Sequence, residues 1–147
     1  MITHKSEHLT FFIPEVIEGA GTNFFDTGIS AGFPSPAEDF KEERLSLDDE
    51  LVKNKEATFY ARVSGQSMIG AGLDDNDLLV IDRSLEPANN KIAVCFLDGE
   101  FTVKRLKVNH EGIWLQPENP NYPIVKVTED NNFVIWGIVT NVIKKVY

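Results

Sequence analysis

The sequence predicts a mostly β fold, on three observations. Strand-length runs rich in Val, Ile and aromatic residues recur from Thr58 to Ile143. An Asp-Gly pair separates two of them. The one helix-like stretch, just before them, is short and strongly charged.

The runs are Phe59 to Val63, Leu78 to Asp82, Ile92 to Leu97, Phe101 to Val108, Ile113 to Gln116, Ile124 to Val127 and Phe133 to Ile143. Asp98-Gly99 reads as a tight hairpin turn, so Lys104 falls on the returning strand. Upstream, Ser35-Pro36-Ala37-Glu38 carries a helix start, with Ser35 as cap, Pro36 at the first helical position and Glu38 closing a capping box. A short helix or two is expected from there to about Lys55, and Ala37 to Glu56 holds eight acids and four bases, a solvated face or a docking surface. The residues before Ser30 have no sustained period, their short apolar pairs being broken by Pro14, Gly19, Gly21 and Gly28. They read as an extended, loosely attached arm. Between arm and helix, Ala31-Gly32-Phe33-Pro34-Ser35-Pro36 is biased toward extended backbone by its two prolines, a shape a protease cleft accepts.

The 147 residues, 42% of them hydrophobic, fit one globular domain with a real core. A net charge of -9 and a pI near 4.7 argue against direct DNA binding, which needs clustered Lys and Arg, and favour protein partners. Cys95 is the only cysteine and lies in an apolar run, which suits a reducing, cytoplasmic setting. No stretch approaches the roughly 18 apolar residues of a membrane span, and Met1 to Thr10 lacks the order of a signal peptide. Asp74-Asp75-Asn76-Asp77 lacks the glycine and the closing acid of a calcium loop, so it reads as a turn, and no metal or cofactor is expected.

Two residues suggest chemistry. Ser67 sits in Ser64-Gly65-Gln66-Ser67-Met68-Ile69-Gly70, where glycines permit a turn that presents a hydroxyl; alone, this is ordinary turn material. Lys104 and Arg105 are adjacent cations within a strand and must point to opposite faces, Lys104 with Thr102 and Leu106, Arg105 with Phe101 and Val103. Alternation does not say which of them leans toward the core, and on an edge strand both heads would reach water. A nucleophilic serine needs a base, yet His4 and His8 lie in the arm and His110 in an Asn-His-Glu-Gly turn. A neutral lysine serves instead if it is desolvated. Lowering a lysine pKa from about 10.4 to about 7 takes roughly 4 to 5 kcal/mol of differential destabilisation, within reach of a largely buried site. The backbone N–H groups of Ser67 and Met68 are candidate donors to the oxyanion.

The order Ala31-Gly32-Phe33-Pro34-Ser35-Pro36, then Gly65-Gln66-Ser67-Met68, then Asp98-Gly99-Glu100-Phe101-Thr102-Val103-Lys104 resembles the UmuD branch of the LexA and UmuD self-cleaving serine peptidase superfamily. The likeness runs from about Ala31 to Val146 and takes in Leu78-Leu79-Val80-Ile81-Asp82 and Gly137-Ile138-Val139. It implies that Ser67 is the nucleophile, Lys104 the general base and Ala31-Gly32 the bond cut, dividing the chain into an arm, 1–31, and a β peptidase domain, 32–147. It also implies a homodimer, cleavage stimulated by a RecA filament on single-stranded DNA, and a processed form serving an error-prone translesion polymerase of the UmuC type in the SOS response. Two positions depart from the pattern, both in turns: Gly70, where relatives often carry Asp or Pro, and Asn76, in place of a glycine.

Three rivals remain. A LexA-like repressor shares the peptidase half, but only 31 residues precede the cut, with Lys5 their one basic side chain apart from histidine. A signal peptidase requires a membrane anchor. A non-catalytic polymerase-binding module is separated by looking for a new N-terminus at Gly32.

Overall fold

A computed structural model describes residues 2–5, 9–15, 22–25, 42–65 and 67–147. Ala31, Gly32 and the predicted helix start at Ser35 lie outside the described residues. The strands are β1 (Ile2–Lys5), β2 (Leu9–Phe12), β3 (Thr22–Phe25), β4 (Glu42–Leu45), β5 (Thr58–Val63), β6 (Leu78–Asp82), β7 (Ile92–Leu97), β8 (Glu100–Asn109), β9 (Gly112–Gln116), β10 (Val125–Lys126) and β11 (Phe133–Ile143), and α1 spans Leu47–Leu51. The chain forms two compact units, Met1–Pro14 with Asn54–Tyr147, and Glu15–Lys53.

The larger unit is a nine-stranded sheet in the order β1-β2-β5-β6-β11-β7-β8-β9-β10, antiparallel at every pairing. Apolar residues at alternate positions feed two cores, because successive side chains of a strand point to opposite faces. On β8, Val103 joins a cluster with Leu9, Phe11, Ala61, Leu79, Ile81 and Val94, whereas Leu106 joins one with Ala93, Cys95, Leu115 and Ile138. The seven strands expected after Thr58 all form, within a residue or two of their predicted ends. The Asp98-Gly99 turn closes the β7–β8 hairpin with both residues at positive φ, 48° and 92°, the conformation for which Asp-Gly is suited.

Within the N-terminal stretch, the described strands β1 and β2 are more firmly attached than the loose arm expected there. β2 pairs with β5 from Leu9 opposite Val63 to Phe12 opposite Tyr60, and β1 folds back on β2. Leu9 and Phe11 are each 2% exposed, and the Phe11 ring meets Phe101 and Trp136 edge-on, both at 4.9 Å between centroids. A four-residue strand is too short to show a sustained period, so its alternation passed for irregular sequence. Truncating Phe11 to Ala in an uncleavable Ser67→Ala background is expected to cost about 3 to 5 kcal/mol by urea unfolding. A loss under about 1 kcal/mol would show that β2 is undocked in solution.

In the smaller unit, β3 pairs antiparallel with β4, so Glu42 to Leu45, expected to be helical, is a strand. Its partner lies some twenty residues upstream, which local helix signals do not register. The helix begins later, where the Ser46 side chain accepts the Asp49 N–H at 3.3 Å and three acids occupy the first turn.

Candidate active site

The turn after β5 is fastened at several points. Val63 exchanges backbone hydrogen bonds with the 74–77 turn, donating to the Asp77 carbonyl and accepting from Asn76 N–H, both at 2.9 Å. Asn76 adopts φ 71°, a left-handed conformation that Asn tolerates, so it can stand where a glycine was expected. Gly65 N–H donates to the Asp75 carboxylate at 3.0 Å. Beyond Ser67, buried Met68 and Leu73 anchor a single 3-10 turn, Ile69–Ala71. The rest of the 74–77 turn is held by Lys144, whose ammonium donates to the carboxylates of Asp74, at 2.6 Å, and Asp77.

Lys104 lies on β8, between β7 and β9 and therefore inside the sheet, opposite Ala93. Its Nζ is 3.1 Å from Ser67 Oγ, 2.6 Å from Thr102 Oγ1 and 3.1 Å from the Val103 carbonyl oxygen. Burial lowers its pKa from the ordinary 10.5. The nearby Cys95 thiol acts the other way when ionised, but burial pushes that thiol up to about 12, so near neutrality it carries no charge to retain the proton on Lys104. An ammonium can donate to all three oxygens, and a neutral amine can also make all three contacts. Two N–H bonds can point to the Val103 carbonyl and the Thr102 hydroxyl, leaving the lone pair for the Ser67 O–H.

Arg105 takes the other face and pairs with Glu118, while its Nη1 donates to the Asn90 carbonyl at 2.6 Å. Glu118 also touches the serine turn through its backbone: Gly70 N–H donates to its carbonyl at 2.8 Å, and its own N–H reaches Met68 Sδ at 3.3 Å. A Cβ on Gly70 would stand 2.4 Å from that carbonyl oxygen, a physical reason for glycine here. Gly70→Ala should therefore cost about 1 to 3 kcal/mol by pushing the two segments apart, read as a lower unfolding midpoint.

Ser67 and Lys104 open onto an apolar-walled cleft of about 180 Å³, lined also by Leu9, Val63, Met68, Leu73, Val103 and Tyr122. This is smaller than the roughly 300 to 1,000 Å³ of small-molecule sites and suits a peptide side chain. His110 is exposed, with Nε2 3.8 Å from Glu111. Thr102, Glu118 and Leu9 were not singled out from sequence. Period-two alternation places Thr102 on the Lys104 face, but nothing local marks the other two.

A family model described as Peptidase S24-like matches residues 23–140. The chain is 39% identical over 134 residues to Protein MucA of Salmonella typhimurium, covering 86% of this chain and 91% of that protein. It is 42% identical over 115 residues to Protein ImpA of Shigella flexneri, 78% of each. Against the LexA repressor of Delftia acidovorans it is 35% identical over 116 residues, 79% of this chain and 51% of the repressor. With most of the chain matched by the family model and by relatives at this identity, the protein belongs to the Peptidase S24-like family.

Proposed function

We propose that this protein cuts its own Ala31-Gly32 bond with Ser67 as nucleophile and Lys104 as general base. The observation that carries the reading is the 3.1 Å contact between Lys104 Nζ and Ser67 Oγ in an apolar cleft. Neutral Lys104 takes the Ser67 proton as Oγ attacks the Ala31 carbonyl carbon, and the Ser67 and Met68 N–H groups receive the oxyanion. Lys104, now an ammonium, gives its proton to the Gly32 nitrogen as the peptide bond breaks. Water, deprotonated by the same lysine, then hydrolyses the ester between Ser67 and Ala31, freeing residues 1–31 from 32–147.

The wider role rests on the resemblance to the UmuD branch. A RecA filament on single-stranded DNA promotes the cut by favouring the conformer in which the Ala31-Gly32 segment occupies the cleft. The processed chain, a cytoplasmic homodimer, then serves as accessory subunit of an error-prone translesion polymerase of the UmuC type. The acidic balance of the chain fits protein partners over direct DNA contact. Among the described residues no helix is long and apolar enough to cross a membrane. The test is to incubate the purified chain with and without the filament and measure product masses. A fragment beginning at Gly32 is expected, and an intact chain under both conditions would refute the reading.

A further inference from the structure

The N-terminal hairpin supplies a wall of the cleft. Leu9 lines it beside Ser67, and its partner across the sheet, Val63, is the last residue of β5 before the turn that carries Ser67. Four consecutive residue pairs fix the register of β2 on β5, and Phe11, two residues on, is seated in the same core cluster as Leu9. Leu9 thus cannot shift along β5 without unseating Phe11. Yet both residues lie on the N-terminal side of Ala31, within the segment that self-cleavage separates from the peptidase.

We propose that the hairpin of β1 and β2 is a standing element of the peptidase domain, and that Leu9 limits the size of the side chain accepted at position 31, just before the cut. This rests on the self-cleaving reading above. The boundary set by cleavage is then not the boundary of the fold, and the severed fragment remains held on β5 by its backbone pairing and by the burial of Leu9 and Phe11.

The test uses the full-length chain and follows the fragment that begins at Gly32. Ala31→Leu is expected to slow its release at least thirtyfold, and adding Leu9→Ala to recover at least tenfold of that loss. If Leu9→Ala instead slows the wild-type chain and the Ala31→Leu chain equally, Leu9 merely packs, and the assignment is overturned. Should Leu9→Ala unfold, seen as an early thermal transition, Leu9→Val makes a smaller cut in the same wall, with a recovery of about threefold expected and none overturning it. Independently, wild-type protein cleaved to completion is passed through gel filtration without denaturant. Co-elution of 1–31 with 32–147 supports the standing hairpin, and free 1–31 overturns it. Absence of any Gly32 fragment from wild type would sink the peptidase reading and this inference with it. Normal wild-type cleavage with unaltered preference in the Leu9 variants would sink this inference alone.

Discussion

Ser67→Ala is expected to abolish the fragment beginning at Gly32, and Lys104→Met to slow its appearance by about 10² to 10⁴-fold, the usual contribution of a positioned acid-base group. The two should fail for different reasons. Without Oγ there is no ester intermediate, whereas without the amine the hydroxyl remains but keeps its proton. Folding should survive both changes. Ser67 is presented by a turn anchored through Met68, Leu73 and Glu118, none of which depends on its hydroxyl. Methionine keeps most of the lysine stem and removes a cation that burial disfavours. Lys104→Arg should be as inactive as Lys104→Met, since a guanidinium stays protonated and cannot accept the serine proton. Circular dichroism and thermal unfolding of each variant, beside mass spectrometry of the products, check this. Undiminished cleavage in the folded Lys104→Met protein would remove lysine from the mechanism.

The second large effect is on pH. The base must be unprotonated to act, so below the Lys104 pKa the unassisted rate should climb up to about tenfold per pH unit, then level off. Burial moves that pKa downward, so the plateau should begin below the 10.5 of an ordinary lysine. Stability should move in the same direction. Between the lowered folded pKa and 10.5 the unfolded chain binds more protons at this site than the folded one, so stability gains with rising pH across that window. The gain disappears as pH falls through the folded pKa, and Lys104→Met should lack this contribution altogether. If a RecA filament acts as proposed, by favouring a conformer in which Lys104 is dry and neutral, its stimulation should shrink at high pH. Rates of Gly32-fragment release from pH 6 to 10, with Ser67→Ala as blank, check this; a flat profile without filament would argue against a titrating lysine.

Most of the β architecture was legible in the sequence because runs rich in Val, Ile and aromatic residues declare themselves by composition, and turns such as Asp98-Gly99 by the backbone angles they need. The candidate pair was legible too, because Ser67 and Lys104 are unusual in their settings and no histidine was well placed to be the base. Alternation along β8 separated Lys104 from Arg105, but the choice of which one faces the serine belonged to tertiary structure. It depends on where β5 ends and how Glu118 grips the turn, contacts that join residues dozens of positions apart. Likewise the strands β2 and β4 are four residues each and owe their form to distant partners. The sequence by itself determined the strand-forming segments, the turn chemistry and the two candidate side chains, since those are local properties of residue type and order. Only the tertiary structure decided that Leu9 and Phe11 belong to the core, that Lys104 rather than Arg105 meets Ser67, and that its ammonium is disfavoured. Burial and proximity exist only once segments remote in the chain have packed together.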